Sequence, residues 1–405
     1  MGFMYEFPHS QTFDSDLREI LERFMAVVGI PKEFEELKKF VTEYFDNLDV
    51  SKEINAKIDA MIADGTLQEI ISQYVNHLQT YQSIINSDVD YLAGTNFMIL
   101  FGANAFPFTV TDSEQDISYP LHNGKYITYS IGKQEQIDIS VLGGFSDLSD
   151  KMQALLNVGY INFYLPKGIY TLSLDLPAYA KIRGDIGAHV SVTSKNGSYI
   201  FKLTGDNIRL ENLYLFGAKE SNISGLKSDI GSGSSFSEFR NLHFNGLYMH
   251  MDFQGSHIWC RFDGCRMESA GYASMFVRGT NTTFFNNNSF MNCRFNNNNT
   301  PINIDLQAIN CFSISFYSCN IEYNSGSLNI TGTCAFYGCY FEGNAGLTVT
   351  MARAALFSGT CFINENNLIT TTIALGKKTF ISCWNHNSTN IYDNVDNVEK
   401  LGCNF

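Results

Sequence analysis

The most chemically reactive side chains in this sequence are ten cysteines, which all lie between Cys260 and Cys403. Thiolates act as nucleophiles and bind metal ions, and pairs of thiols form disulfides. The sequence has no C-x-x-C pair and no Cys/His spacing typical of a zinc site, and disulfide frameworks are typical of much shorter secreted chains. We therefore predict free, buried thiols, no metal site, and folding in a reducing cytoplasm.

Six of these cysteines belong to one repeated frame, in which a phenylalanine precedes the cysteine. The frame occurs at Phe262–Cys265, Phe290–Cys293, Phe316–Cys319, Phe336–Cys339 and Phe380–Cys383, at Phe357–Cys361 with one inserted residue, and at Phe239–Leu242 with leucine for cysteine. Successive phenylalanines lie 20 to 28 residues apart, which indicates one solenoid coil per repeat. Equivalent positions then stack at about 4.8 Å. The cysteines should form an internal ladder, and the phenylalanines should fill the neighbouring corner.

An inward cysteine fixes the orientation of the residues after it, because side chains of a strand alternate between its two faces. The second residue then lies inside, and this set is apolar: Met267, Phe295, Ile321, Phe341 and Ile363. The first residue lies outside: Arg266, Arg294, Asn320, Tyr340, Phe362 and Trp384. The third also lies outside: Glu268, Asn296, Glu322, Glu342, Asn364 and His386. The sequence thus predicts two adjacent external columns that mix arginines, aromatic rings, amides and carboxylates.

These columns offer what a sugar chain requires, namely aromatic faces for stacking beside amides and carboxylates that bind hydroxyl groups. The candidate glycan-binding residues are Arg266, Glu268, Arg294, Asn296, Tyr340, Trp384 and His386. The opposing interpretation is an ordinary solvated face, with His386 and Trp384 as a cap over the last coil.

Glu322 and Glu342 form the candidate catalytic pair because they fall on consecutive predicted coils. Their carboxyl groups would lie about 5 Å apart, close to the separation of about 5–5.5 Å in retaining glycosidases. Two carboxylates this close favour protonation of one of them, which suits it to act as an acid. Lyase chemistry requires an arginine or lysine base beside the carboxylates. Arg266 and Arg294, which flank Glu268 on this face, are the residues of that type. Acidic residues are otherwise scattered singly, so we predict no calcium site and no cofactor.

Composition excludes several classes of function. The chain has 405 residues, a formal net charge of −14 and 44% hydrophobic residues, with 33 Phe and 21 Tyr, which rules out intrinsic disorder. An acidic balance without basic runs argues against nucleic acid as a partner, and no apolar stretch is long enough for a membrane span. The first residues, Met1–Glu6, do not have the pattern of a signal peptide.

Residues 1–91 have a helical period. Heptad spacing is shown by Phe34, Leu37, Val41, Tyr44 and Leu48, and it resumes at Ile71, Leu78 and Ile85 with Tyr74 and Tyr81 between them. A small intramolecular bundle is one interpretation. A trimeric helical stalk is the other, and we favour it because short, separated seams bury themselves poorly within one chain.

The rest of the chain has a β pattern. Residues 92–140 alternate apolar and polar side chains at Phe106–Thr111 and Lys125–Ser130, with a turn at His122–Gly124, and predict a small β-rich connector. Residues 141–405 hold the solenoid. Its asparagine clusters, Asn286–Asn288 and Asn296–Asn299, are either low-complexity linker or, as we favour, turns. Asparagine tolerates left-handed backbone and bonds local backbone groups.

The start of this third region carries a specific family resemblance. An amphipathic helix at Leu148–Leu156 is followed by a strand at Tyr160–Pro166 and by Lys167–Leu172 and Leu176–Asp185, which together contain YLPKGIYTL and KIRGD. This run resembles the beginning of a pectate-lyase-type right-handed parallel β-helix. The acidic GDG…DD segment common before that helix is replaced here by Gly143–Asp147. The resemblance implies a mainly β fold, a right-handed parallel β-helix preceded by an α-helical N-terminal region.

A second resemblance lies at Ile54–Ile71, which has the sequence INAKIDAMIADGTLQEII. This segment resembles the N-terminal parts of tail spike or tail appendage proteins of phages that infect Gram-positive bacteria. It implies a homotrimer in the virion tail, bound to other phage tail proteins through its N-terminal helices, with β-helices projecting toward the host envelope. Many members bind cell-wall or capsular polysaccharide and some cleave it. No catalytic residue of that family matches a motif in this chain.

Three functional hypotheses follow. The first is a virion adhesin that engages host surface glycan, and the second is an enzyme of the same shape, a polysaccharide lyase or glycoside hydrolase. The third is a purely structural virion component that binds no glycan. Unpaired cysteines and the lack of a signal-peptide pattern fit a virion protein that folds in the bacterial cytoplasm and leaves by lysis.

Overall fold

The computed structural model describes residues 79–86, 89–101, 104–143, 147–186, 189–306, 310–344, 347–351, 353–364, 369–370, 377–386, 392–393 and 398–404. The helical seams predicted up to residue 78, with the segment that carries the second resemblance, lie outside these residues. The chain divides into two compact units with the boundary between Ser130 and Ile131. Each unit has its own sheets and core.

The first unit is built on a five-stranded sheet. Its strands, in spatial order, are Gln79–Thr80, Asn96–Phe101, Asn104–Thr111, Tyr126–Thr128 and Ser118–Pro120. The two segments predicted to alternate form the third and fourth of these strands. A short helix, Tyr81–Ile85, packs the ring of Tyr81 against that of Tyr119 with centroids 4.3 Å apart. The heptad seam predicted through Tyr81 and Ile85 is therefore wrong here, because a strand precedes the helix and Tyr81 contacts this unit's own core.

The second unit begins with the strand Ile137–Asp138, the 3-10 helix Ile139–Leu142 and the α-helix Leu148–Asn157. The predicted amphipathic helix is confirmed, and its buried residues include Met152, Leu155 and Leu156. Ser149 Oγ and Gln153 Oε1 accept hydrogen bonds from the backbone amides of Ser173 and Asp175, at 3.0 and 2.7 Å. The helix thereby satisfies backbone donors at the start of the third sheet described below, which would otherwise be exposed.

The remainder of this unit is a parallel β-solenoid of about ten coils with three sheets. The first sheet comprises Ile137–Asp138, Asn162–Leu165, Lys181–Gly184, Arg209–Glu211, Glu238–Arg240, Arg261–Asp263, Ser289–Met291, Ile314–Tyr317, Cys334–Tyr337, Ala355–Ser358, Lys378–Ile381 and Val398–Leu401. The second comprises Gly168–Leu172, Val190–Ser194, Tyr214–Phe216, His243–Asn245, Arg266–Glu268, Arg294–Asn296, Asn320–Glu322, Tyr340–Glu342, Cys361–Ile363 and Trp384–His386. The third comprises Leu174–Leu176, Tyr199–Leu203, Ser224–Ser228, Met249–Phe253, Ala273–Arg278, Ile302–Asp305, Gly326–Ile330, Leu347–Met351, Ile369–Thr370 and Tyr392–Asp393. A further pair, His257–Ile258 and Phe285–Asn286, lies in the connections between coils.

Two vertical ladders form the core of the solenoid, as predicted. The rings of Phe239, Phe262, Phe290, Phe316, Phe336, Phe357 and Phe380 stack on successive coils with centroids 4.6–5.0 Å apart. The thiols of Cys265, Cys293, Cys319, Cys339 and Cys383 each lie 3.3–3.5 Å from the carbonyl oxygen of the phenylalanine in the preceding coil. All ten cysteines are free. The cysteine ladder therefore combines small buried volume with a weak hydrogen-bond donor.

One coil departs from the predicted frame. The predicted frame puts Cys361 in the ladder after an inserted residue, but Thr360 occupies that position. The Thr360 side chain is fully buried and donates from Oγ1 to the Phe336 carbonyl at 3.3 Å. Threonine replaces cysteine there because its hydroxyl makes the same donation at similar volume, so no residue is inserted.

A left-handed residue precedes every ladder position from Leu213 onward. These residues have φ between +50° and +64°: Asn212, Asn241, Gly264, Asn292, Ser318, Gly338, Gly359, Ser382 and Gly402. Glycine and asparagine adopt this conformation at little steric cost. The position makes the sharp turn from the first sheet to the second, and its constant length keeps the two sheets in register.

Buried asparagines form a third ladder. Asn298, Asn324 and Asn344 donate from Nδ2 to the carbonyls of Met267, Phe295 and Ile321, at 3.0, 2.9 and 2.8 Å. Their Oδ1 atoms accept from the amides of Ala270, Asn298 and Asn324, at 2.9, 3.0 and 3.0 Å. The predicted asparagine turns are confirmed, with Asn287 and Asn297 left-handed. The hydrogen bonds of these ladder side-chain amides, however, join neighbouring coils rather than groups within one turn.

No helix among the described residues is long and apolar enough to cross a membrane.

The ladder predicts which thiols react. Eight cysteines are buried, and burial raises the pKa of Cys260 and Cys311 to about 12, so their thiolates are scarce. Iodoacetamide at pH 8 should label only the half-buried Cys361 and Cys403 in the folded protein, and all ten cysteines in urea. A variant with Cys361→Ser and Cys403→Ser should remain unlabelled when folded. Fast labelling of Cys293 or Cys319, read by peptide mass spectrometry, would contradict the ladder.

Two buried histidines predict a loss of stability in acid. Burial lowers the pKa of His250 and His257 to about 3. Below pH 6.5 the unfolded chain binds these protons and the folded chain does not, so their contribution is full above pH 6.5 and is lost as the pH falls toward 3. At pH 5 each should cost about 2 kcal/mol of unfolding free energy. Urea midpoints of His250→Met should fall less between pH 7.5 and 5 than those of the wild type, whereas those of Met251→Leu, at a buried residue that does not titrate, should fall equally.

Candidate functional site

The outer side of the second sheet carries two columns of side chains in vertical register, here called the outer columns. The first contains Arg266, Arg294, Asn320, Tyr340, Cys361 and Trp384, and the second contains Glu268, Asn296, Glu322, Glu342, Ile363 and His386. All nine predicted site residues belong to these columns. The strands of the second sheet thus hold them in the predicted order.

The columns differ from the prediction in the coil that contains Thr360. Because the ladder residue is one position earlier than predicted, Cys361 pairs with Tyr340 and takes the outer position. Phe362 is fully buried in the core, whereas the sequence analysis placed it outside. Ile363 takes the outer position instead of the core, and Asn364 is the left-handed residue of the following turn.

At the upstream end, a carboxylate lies beside stacked rings. Glu268 Oε2 lies 3.1 Å from His243 Nε2 on the preceding coil. The ring of Tyr214 lies 4.7 Å from that of His243 and 4.9 Å from that of His189. In this arrangement the rings can stack on a sugar, and the carboxylate can accept hydrogen bonds from its hydroxyl groups.

The centre of the columns is an ion pair between a part-exposed arginine and a largely buried glutamate. Arg294 Nη2 lies 2.9 Å from Glu322 Oε2, and the Glu322 side chain is only 9% exposed. Arg294 Nε and Asn296 Oδ1 are buried without a hydrogen-bond partner in the described part of the chain. Unpaired buried polar atoms are costly, so this centre has unused capacity for polar contacts.

Glu342 has a different partner from Glu322. Tyr340 donates its hydroxyl to Glu342 Oε2 at 3.0 Å, and this hydrogen bond is the main cause that raises the pKa of Tyr340 to about 12. The Cα atoms of Glu322 and Glu342 pair in register on consecutive coils. The structure therefore brings the predicted catalytic pair together in the backbone and gives each carboxylate its own hydrogen-bonding partner.

Trp384 and His386 occupy the last strand of the second sheet. The Trp384 side chain is 66% exposed, and His386 is exposed as well. Exposure of both side chains does not fit a cap over the core. An exposed tryptophan in line with Tyr340 adds a second aromatic face to the first outer column.

The third sheet carries a cluster of ionisable groups that the sequence analysis missed. Asp229 lies 2.7 Å from Lys202 Nζ, and this contact is the main cause that lowers the pKa of Asp229. Asp252 is 6% exposed and lies 3.2 Å from Arg278, at ion-pair distance but without hydrogen-bond alignment, and burial raises its pKa. Two carboxyl groups whose pKa values move apart are typical of acid–base sites.

These residues escaped notice because the repeated frame ends in the second sheet. The strands of the third sheet follow connections of variable length, so no fixed offset from a cysteine reaches them. The signal that remains is alternation of apolar and polar residues within single strands, as in Met249–Phe253, where His250 and Asp252 separate apolar residues.

Among the described residues, no group of three or more His, Cys, Asp or Glu side chains is arranged to hold a metal ion.

The central ion pair yields a stability prediction. Arg294→Met should lower the unfolding free energy by about 1–3 kcal/mol, because it leaves the Glu322 carboxylate largely buried without its cation. The double variant Arg294→Met with Glu322→Gln should recover most of this loss. The matched control is Arg261→Met. Arg261 lies 3.0 Å from Asp263, which is more exposed than Glu322, so this substitution should lower the unfolding free energy by less than about 1 kcal/mol. Equal losses in urea unfolding for both single variants would show that Glu322 does not need Arg294.

No protein-family model and no curated protein matches this chain. Solved structures do. The tailspike protein gp49 of Acinetobacter baumannii bacteriophage Fri1, described as a capsular polysaccharide depolymerase, is similar over 81% of this chain and 68% of its own, with 11% identity and a TM-score of 0.55. The tailspike protein of Acinetobacter phage vB_ApiP_P1 is similar over 81% of this chain and 71% of its own, with 15% identity and a TM-score of 0.52.

A pectate lyase, Pel9A, is similar over 60% of this chain and 70% of its own, with 12% identity and a TM-score of 0.40. That score is too low to support the predicted likeness to pectate lyases, which stays a prediction. The two tailspikes establish a likeness of fold: the second unit of this chain is a parallel β-solenoid of the kind found in phage tailspike proteins.

Proposed function

We propose that this protein is a phage tail spike or tail appendage that attaches the virion to host surface polysaccharide through its outer columns. The observation that carries the proposal is the register of aromatic, cationic and carboxylate side chains along the second sheet, on a fold shared with two tailspikes. Rigid parallel strands hold these groups in place before a ligand arrives, which lowers the entropic cost of binding.

Each outer-column residue has a role in this proposal. Trp384 and Tyr340 stack on sugar rings, and Arg266 donates to hydroxyl or acidic groups from its exposed guanidinium. Asn296, Glu268 and His386 accept or donate hydrogen bonds to hydroxyl groups at the sides of the chain.

Assembly and location are part of the same proposal. The protein forms a homotrimer in the virion tail, and residues 1–91 bind other phage tail proteins. The host is a Gram-positive bacterium, and the right-handed sense of the β-helix follows its pectate-lyase-like beginning. The resemblances at Ile54–Ile71 and Leu148–Asp185 support these points.

The second candidate function is depolymerisation of the same polysaccharide. It is favoured by the register of Glu322 and Glu342, and the Fri1 tailspike is described as a capsular polysaccharide depolymerase. In that case Glu322, which pairs with Arg294 at 2.9 Å, acts as base or nucleophile, and Glu342 acts as the acid. Asp252 and Asp229 on the third sheet are the competing pair, with Asp252 as the acid.

A panel of capsular and wall polysaccharides separates these functions. Binding should occur with at least one polysaccharide, and Trp384→Ala combined with Arg266→Gln should weaken it by about tenfold or more. Tyr272→Ala, an exposed aromatic residue outside the second sheet, is the matched control and should bind normally. Absence of binding to every polysaccharide would favour a purely structural component.

Enzymatic activity has its own readout, the release of reducing oligosaccharides or new absorbance in the unsaturated-uronate band. If the outer columns cleave, Glu322→Gln and Glu342→Gln should each abolish release and retain binding, and Asp252→Asn should remain active. If the third sheet cleaves, the pattern reverses. Binding without release in the wild type would leave the adhesin function alone.

A further inference from the structure

The first sheet is bordered by a row of exposed aromatic side chains in left-handed backbone. Tyr179, Phe236 and Trp259 have φ of 66°, 56° and 61°, and their side chains are 58%, 59% and 58% exposed. Each lies two residues before a strand of the first sheet, at Lys181, Glu238 and Arg261. The backbone amides of Tyr179, Phe236 and Trp259 each donate a hydrogen bond to the next coil, which places them in one vertical row; Asn207 occupies the coil between Tyr179 and Phe236.

The turn position that this row occupies does not require an aromatic side chain. The same turn position in other coils holds Asn207, Asn287 and Ser313, which are left-handed as well. The turn therefore needs only a residue that tolerates positive φ, and bulky side chains there cost about 1–2 kcal/mol each. Such outliers concentrate at ligand-binding sites. Three exposed rings that share one turn position indicate a function for the row in contact with something outside the solenoid.

A cavity lined by cationic side chains lies on the same sheet. Its lining includes Lys181, two residues after Tyr179. It has a volume of about 160 Å³ and is lined by Gln136, Asn162, Lys181, Ile182, Arg183, Arg209 and Glu211. Lys181 and Arg209 are directly paired on adjacent coils, and like charges directly opposite each other are destabilising. The cavity therefore places positive charges where they repel each other.

The cations of the cavity are only partly compensated, since Arg183 is paired in register with Glu211 but makes no ion pair with it among the described residues. Within the described residues, Lys181 and Arg183 have no acidic group at ion-pair distance, and Arg183 Nε is buried without a hydrogen-bond partner. Arg209 reaches Glu238 only at 3.7 Å. Downstream on this sheet the cation is matched, since Arg261 lies 3.0 Å from Asp263. Although the chain has a net charge of −14, the local positive charges of this cavity attract an anion.

We propose that the cavity and the aromatic row form a binding strip for an anionic glycan, separate from the outer columns. The oxyanion is a carboxylate or a phosphodiester that Arg183, Lys181 and Arg209 hold, and the sugar rings stack on Tyr179, Phe236 and Trp259. Arginine forks match both oxyanions in bidentate geometry. Glu211, the acidic group of the cavity, accepts hydrogen bonds from the sugar hydroxyl groups. The strip rests on the proposed function in that its ligand is a host surface glycan.

Defined probes test the strip with the full-length protein. One arm is a hyaluronan tetrasaccharide, with its methyl ester as the uncharged match, and the other is a glycerophosphodiester trimer. Calorimetry should show binding in at least one arm, weaker at high salt. Arg183→Gln with Lys181→Gln should weaken binding by about tenfold or more, and so should Tyr179→Ala with Trp259→Ala. The matched controls, Arg261→Gln and Tyr323→Ala, should bind normally; Tyr323 is a left-handed tyrosine that is 56% exposed at another turn.

The outcomes are distinct from those for the outer columns. Binding of the tetrasaccharide alone identifies a carboxylate, and binding of the trimer alone identifies a phosphodiester. The proposal is overturned if neither arm binds, if the methyl ester binds as well as the acid, or if the strip variants bind normally. Loss of polysaccharide binding in the Trp384 and Arg266 variant but not in the strip variants would keep the proposed function and reject the strip.

Discussion

The parallel register between successive coils is the constraint on which the second unit depends. Each coil donates and accepts backbone hydrogen bonds along all three sheets, so a residue in one coil has a fixed neighbour in the next. The inward ladders preserve this register chemically, because the thiols of the five ladder cysteines and the Thr360 hydroxyl donate to the phenylalanine carbonyl of a preceding coil. The outer columns are a consequence of the same register, since every inward residue fixes two outward ones.

Much of the fold could be predicted because the turn between the first and second sheets has constant length. The left-handed residue before each ladder position keeps the core phenylalanine and the ladder residue at a constant spacing, as in Phe262 and Cys265. This spacing is directly visible in the sequence. The same offset reached Arg294, Glu322 and Tyr340, which the structure indeed places outside. It could not reach Asp229 or Asp252, because connections of variable length precede the third sheet.

The error at Thr360 has a physical cause of a different kind. The repeated frame predicts a thiol at this position, whereas the ladder requires only a small side chain that can donate to the Phe336 carbonyl. Threonine meets both conditions, so the frame continued where cysteine was absent. The asparagine ladder shows the same rule. Asn298 belongs to a predicted turn cluster but acts by bonding between coils, together with Asn324 and Asn344, which lie outside the predicted clusters. Which coil a polar side chain bonds is a property of vertical neighbours, which the linear sequence does not display.

The shape of a solenoid surface also determines what it can bind. Its sheets are open faces, and a cavity of about 160 Å³ is smaller than the roughly 300–1,000 Å³ of pockets that enclose a small ligand. The cavity can therefore hold one charged group, while the rest of a ligand must lie across neighbouring coils. Coils repeat about every 4.8 Å, so contacts repeat along the axis. A polymer gains affinity from each repeat in turn, whereas a single sugar gains it once, and for this reason a periodic surface of rings and charges suits a polysaccharide better than a monosaccharide.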